Sequence, residues 1–150
     1  MVRWVYKLSK GYEKQYKKIP NSWKYIRRYD QPTKTLSPKA INILAVAMYQ
    51  ANKYNQAILT HRVLKEITER KRHQNRRLVQ QLEFLFEVRF LTSLIENNKT
   101  YNNAFLFLPK NNLMKILENP ENYFANLGGH LGEHLGEHNT KKGSKNAPQI

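Results

Sequence analysis

Apolar residues along this chain of 150 residues follow a helical period first and gather in strand-forming runs later. After Ser37-Pro38, the run AINILAVAMYQAN puts Ile41, Leu44, Ala45 and Met48 on one helical face. Serine caps free amides and proline fits the first helical position, so the pair marks a helix start. Apolar residues also occupy most other sides of the run, which predicts a buried core helix ending near Asn52. Thr60 predicts the cap of a second helix, with Val63, Leu64 and Ile67 inward. A third begins around Arg72–Gln74, and Leu78, Leu82 and Leu85 form its buried stripe at i, i+4, i+7. Arg72, His73, Arg76, Arg77 and Gln80 take the opposite side, with Asn75 at the flank. The joining residues Glu69-Arg70-Lys71-Arg72 include neither glycine nor proline. One continuous helix is the alternative to a turn there.

Beyond Phe86 the composition shifts towards strand formers. Val88–Ile95 and Ala104–Leu108 read as strands, rich in β-branched and aromatic residues. Asn97-Asn98 between them can adopt left-handed backbone, which predicts a hairpin, and Pro109 ends its second strand. Asn111–Glu118 reads as a short helix with Leu113, Met114 and Leu117 inward, stopped by Pro120. Residues 1–36 alternate Trp4, Tyr6, Tyr12, Tyr16, Trp23, Tyr25 and Tyr29 with Lys and Arg. Gly11, Pro20, Asn21 and Pro32 interrupt them, so an irregular arm is expected, with a short strand at Arg3–Leu8 and a helical turn at Ser22–Tyr29. From Gly128 the chain reads GGHLGEHLGEHNTKKGSKNAPQI, a polar repeat and tail expected to be disordered. The chain thus divides into an arm (1–36), a folded domain (37–109), a short helix (110–127) and a tail (128–150).

Three helices followed by a hairpin form an order that resembles the winged helix-turn-helix superfamily. The likeness rests on L-T-x-x-x-L-x-x-I-T at 59–68, R-R-L-V-x-x-L-x-x-L at 76–85, and the hairpin after them. It covers Ser37–Pro109. It implies a mainly helical α+β fold, a three-helix core plus a β-hairpin wing, that binds DNA.

Charge agrees with such a partner. The chain carries 26 Lys+Arg against 11 Asp+Glu, a net +15. Residues 1–39 contribute +9 and residues 61–77 contribute +5, whereas 78–96 is −2. Two basic blocks of this size favour a polyanionic partner. The absence of cysteine excludes disulfides and thiolate metal sites. No apolar run reaches the length of a membrane span, and the first residues lack the apolar core of a secretory signal. A cytoplasmic, nucleoid-associated protein without a membrane partner is expected.

The start of the third helix carries the candidate contacts. Arginine can bond guanine through two hydrogen bonds, and asparagine or glutamine can pair with adenine in the same way. Asn75, Arg76 and Gln80 are therefore assigned to bases; Thr60, Arg62, Arg72, His73 and Arg77 are assigned to phosphates. The hairpin tip, with Asn97, Asn98, Lys99, Thr100 and Tyr101, offers further phosphate or minor-groove donors. In the arm, Lys14, Lys17, Lys18, Arg27 and Arg28 are candidate nucleic-acid contacts, while Trp4 and Trp23 are expected to cover the core. Cations interleaved with aromatics also suit RNA, because bases stack on aromatic faces, so RNA stays open as a partner.

Other chemistry finds little support. His130, His134 and His138, with Glu133 and Glu137, spell H-x-x-E-H twice, but Gly128, Gly129, Gly132 and Gly136 oppose the helix that a zinc site of this type needs. At most, adventitious Zn²⁺ or Ni²⁺ binding is expected there. No nucleophile–base arrangement or glycine-rich phosphate loop occurs, so no cofactor and no enzymatic activity are expected. The role expected is a sequence-preferring double-stranded DNA-binding protein, a transcriptional regulator acting as a repressor. Three alternatives are a plasmid- or phage-type replication initiator or accessory protein, an RNA-binding protein, and a winged-helix protein–protein adaptor. A homodimer would join through the aromatic arm or the helix at 111–118.

Overall fold

The computed structural model describes residues 19–126. The expectations for Arg3–Leu8, Trp4, Lys14, Lys17 and Lys18, and for the tail with His130, His134 and His138, lie outside those residues.

Helix α1 spans Pro38–Gln50, started as expected by Ser37, whose side chain accepts a hydrogen bond from the Ala40 amide. It is buried continuously from Ala40 to Ala47, as its lack of a polar face requires. It ends two residues before Asn52, and the Asn52 carboxamide then organises the next turn. Its Oδ1 accepts from the Tyr54 amide at 2.8 Å and the Gln56 amide at 3.0 Å. That turn delivers strand β1, Ala57–Thr60, which the periodicity did not disclose. Four residues are too few to show alternation, and Thr60 also serves as the cap of the next helix. Its Oγ1 accepts from the Val63 amide at 3.2 Å at the start of α2, His61–Thr68.

The break between α2 and α3 is real, although no glycine makes it. Glu69 adopts left-handed backbone (φ 59°, ψ 32°), and α3 begins at Arg72 and runs to Gln80. Buried side chains hold the turn. Thr68 Oγ1 donates to Asn75 Oδ1 at 2.6 Å, lies 2.9 Å from the Leu64 carbonyl, and accepts from the Arg70 amide at 3.2 Å. Asn75 Nδ2 donates to the Arg70 carbonyl at 3.2 Å. Lysine at the cap has no acceptor to offer, but Gln74 Oε1 accepts from the Lys71 amide at 3.0 Å and closes the first turn of α3. Past Gln80 the chain tightens into turns with the Leu82 amide bonded to the Val79 carbonyl and that of Leu85 to Leu82. Leu82 and Leu85 are buried there as expected, whereas Leu78 is half-buried and Val79 takes the core position.

Strands β2 (Phe86–Glu96) and β3 (Lys99–Pro109) form the hairpin, longer at both ends than the sequence indicated. Asn97 and Asn98 both have positive φ (55° and 63°), the geometry of a two-residue turn matched to strand twist. The antiparallel sheet has the order β1-β3-β2, with Leu59 opposite Phe105 and Phe90 opposite Phe105 on its other side. Pairing skips Thr92 and Asn103, where Asn103 again has positive φ (54°). Below that point Phe86, Phe105 and Phe107 are buried; above it no residue of the hairpin is. The hairpin therefore projects for roughly four residue pairs, about 14 Å at the rise of a strand.

Helix α4, Leu113–Glu118, buries Leu113 and Ile116, so Met114 points to solvent (55 % exposed) rather than inward. Helix α4 ends at Glu118, as expected, and the residue that stops it, Pro120, has a second role. It opens another helix, α5, over 120–126, consistent with proline at a first helical position, and Phe124 from it packs on Phe84. One buried cluster joins Ile19, Trp23, Ile26 and Leu36 to all these elements. Residues 19–36 thus pack on the core, through a 3-10 turn at Asn21–Tyr25 and a bridge between Arg27 and Thr35. Gln81 secures them, accepting from the Tyr29 amide through its carbonyl (3.1 Å) and from the Ser37 amide through Oε1 (3.0 Å).

The architecture is a small α+β fold in which helices cover one face of a three-stranded hairpin sheet. It is compatible with a winged helix. Asn75→Ala leaves the Thr68 hydroxyl and the Arg70 carbonyl without their buried partner, an expected loss of about 1–3 kcal/mol. Glu69→Gly relieves the left-handed backbone and should gain up to about 1 kcal/mol. Urea unfolding midpoints check both, and a neutral result for Asn75→Ala would show that the brace does not hold the turn.

Candidate nucleic-acid interface

At about 100° per residue, the positions of Asn75 and Val79 on the buried side of α3 fix what the other side presents. His73, Arg77 and Gln80 stand farthest from the core. Arg72 and Arg76 lie on the flank facing α2 and the hairpin, and Gln74 on the opposite flank. All six are exposed, and none is acidic. The sequence-based assignment of Asn75 to bases is corrected here: it is 1 % exposed and its carboxamide is committed to Thr68 and Arg70. It positions the helix instead of meeting a ligand. A polar residue at the flank of an amphipathic helix gave no sign of burial, because its partner Thr68 lies across the turn.

Arg76 reaches sideways. Its guanidinium sits 4.6 Å from the centroid of Phe90, at the base of the hairpin, a cation–π contact that holds the head against an aromatic face. Beyond Phe90 lies His61, the first residue of α2. Its ring centroid is 5.1 Å from that of Phe90 and 5.0 Å from that of Phe105. His61 is only 9 % exposed, and neither ring nitrogen has a hydrogen-bond partner. Burial lowers its pKa below the ordinary 6.5, and the positive charges of Arg72 and Arg76 lower it further. His61, Phe90 and Arg76 thus link α2, the hairpin and α3 in one contact series, which no sequence period announced.

The remaining candidates divide by position. Thr60 is half-buried as a cap, and Arg62 is exposed on the first turn of α2. At the hairpin tip Asn97, Asn98 and Lys99 are exposed and Tyr101 half-buried, with the Lys99 ammonium 5.2 Å from the Tyr101 ring centroid. Arg27 and Arg28 make local contacts. Arg27 Nη1 donates to the Pro32 carbonyl at 2.8 Å, and Arg28 pairs with Asp30 at 3.4 Å. They stand near Gln81, beyond the C-terminal end of α3, so the structure does not bring them to the residues that begin this helix. Among the described residues, no group of His, Asp or Glu side chains could hold a metal ion, and no helix is long and apolar enough to cross a membrane.

The exposed side chains of α3 are rich in hydrogen-bond donors, and the hairpin tip carries a second group of them. Comparison with protein families, curated proteins and solved structures found no match to this chain.

Because folding keeps His61 neutral, the unfolded chain binds a proton on it more readily. Stability is therefore retained above pH 6.5 and is lost as pH falls below that value. His61→Leu removes two unsatisfied buried nitrogens and should stabilise the fold by about 1–3 kcal/mol. It should also flatten the decline in stability below pH 6.5. Urea titrations at several pH values test this; an unchanged pH slope would show that another group controls it.

Proposed function

We propose that this chain is a winged-helix protein that binds double-stranded DNA with sequence preference, and that it serves as a transcriptional regulator. One observation carries the reading. The exposed side chains of α3 are cationic or amide-bearing except for His73, none is acidic, and Arg76 joins the helix to a hairpin that projects past the core. A helix of this size fits the major groove, which is about 12 Å wide. The order α1, β1, α2, α3, β2, β3 supports α3 as the groove-reading helix and the hairpin as the wing.

Roles follow from geometry. Arg77 and Gln80, farthest from the core, are assigned to base edges: arginine to guanine, glutamine to adenine. His73 stands on the same ridge at the N-terminal end of the helix. Arg72, Arg76 and Arg62 face one phosphate backbone, and the Phe90 ring under Arg76 limits how far that head can move. Asn97, Asn98, Lys99 and Tyr101 extend the contact along the duplex through the wing. Most of the affinity comes from phosphate neutralisation and counterion release.

Wild-type protein is expected to bind mixed-sequence duplex with an affinity that falls steeply with salt. Selection from a random duplex pool should yield a consensus. Arg77→Ala with Gln80→Ala should abolish that consensus, each lost pairing costing about 1–3 kcal/mol of discrimination, while weak salt-sensitive binding persists. Selection of the same sites by the double variant would remove α3 as the reading element. Tighter binding to single-stranded RNA in direct competition would overturn the choice of duplex DNA.

A further inference from the structure

The flank of α3 that faces away from the hairpin borders a cleft of about 420 Å³, open to solvent, between this helix and the start of α1. Lys39 of α1, Arg70 of the turn, and Gln74 and Arg77 of α3 line it. Three cationic residues from three parts of the chain border it, together with Pro38 and Leu78, and no carboxylate lines the cleft. The two ion pairs among the described residues, Arg28–Asp30 and Arg89–Glu87, include none of them.

The hydrogen-bonding groups at the cleft are matched to an acceptor-rich ligand. The Ser37 amide is taken by Gln81 Oε1 (3.0 Å), and its hydroxyl oxygen by the Ala40 amide (3.4 Å). Gln74 Oε1 is taken by the Lys71 amide (3.0 Å), which leaves its amino group to donate. The Arg70 and Arg77 guanidinium groups, the Lys39 ammonium and the amino groups of Gln74 and Gln81 remain, all of them donors. Their natural complement is an anion with several oxygens.

Position selects among such anions. An α-helix with its side chains is about 10–12 Å across, close to the width of the major groove. A helix seated there has a phosphate backbone on each flank. Arg72 and Arg76 serve the flank towards the hairpin, and the cleft opens on the other. We propose that the cleft between α1 and α3 is a phosphodiester-binding site that holds the DNA strand on the groove wall opposite the wing. The inference rests on the duplex-binding reading of α3 and adds Lys39, Arg70 and Gln74 to the interface.

The test compares full-length wild type with Lys39→Gln/Arg70→Gln, measuring duplex affinity from low to moderate salt. Arg77 is left in place because it also serves the base-reading ridge. Loss of two phosphate contacts should reduce the slope of log K against log salt by about 1.8. Affinity should fall alike for consensus and mixed sequences, with the selected consensus unchanged. Lys39→Arg/Arg70→Lys, which keeps both charges, should retain the wild-type slope. Circular dichroism and thermal melting confirm that each variant is folded, and a misfolded glutamine pair is replaced by the two single variants. An unchanged slope in the folded glutamine variant, or an altered consensus, overturns the cleft as a phosphate site and leaves duplex binding intact. Failure of wild type to bind duplex at all removes both.

Discussion

The hydrogen bond between Thr68 and Asn75 sets the geometry on which the exposed surface depends. Those two side chains close the α2–α3 turn from inside, where water cannot compete, and they satisfy the Arg70 amide and carbonyl as well. A buried polar network of this kind is stable only when each member is paired, so it admits few alternative angles between the helices. With α2 fixed by Leu64 and Ile67 in the core, the orientation of α3 follows. His73, Arg77 and Gln80 are then exposed because Asn75 and Val79 are not.

The hairpin depends on the same arrangement. Its base is packed through Phe86, Phe105 and Phe107, while its outer half has no core to bury. Phe90 stands where the two parts meet, touched by His61 from α2 and by Arg76 from α3. The imidazole has no polar partner there, so its shape and its neutral state matter more than its hydrogen bonding. Burial lowers its pKa, and the positive charges of Arg72 and Arg76 lower it further. The basic surface thereby influences the interior, although the two are separated by an aromatic ring.

Much of the architecture could be read from periodicity. Ser37-Pro38, Thr60 and the apolar stripes located three helices, and Asn97-Asn98 located the hairpin turn. Two expectations fail for identifiable reasons. Met114 and Ile116 exchange roles because α4 is too short for its period to define a face. Asn75 was placed among ligand contacts because a polar side chain was assumed to face water. Lys39, Arg70 and Gln74 passed unnoticed as a group because they belong to three separate segments.

The sequence by itself determined the excess of positive charge, the succession of amphipathic segments and the residues able to cap or turn them. These are local properties, fixed by side-chain chemistry and by spacing within a few residues. Only the tertiary structure decided which cations share a surface, which polar residues are buried, and that β1 joins the hairpin in one sheet. Each of these depends on contacts between residues distant in the chain, such as Leu59 with Phe105 or Ser37 with Gln81. Periodicity carries the face a residue takes on its own element; it carries nothing about which other element will cover that face.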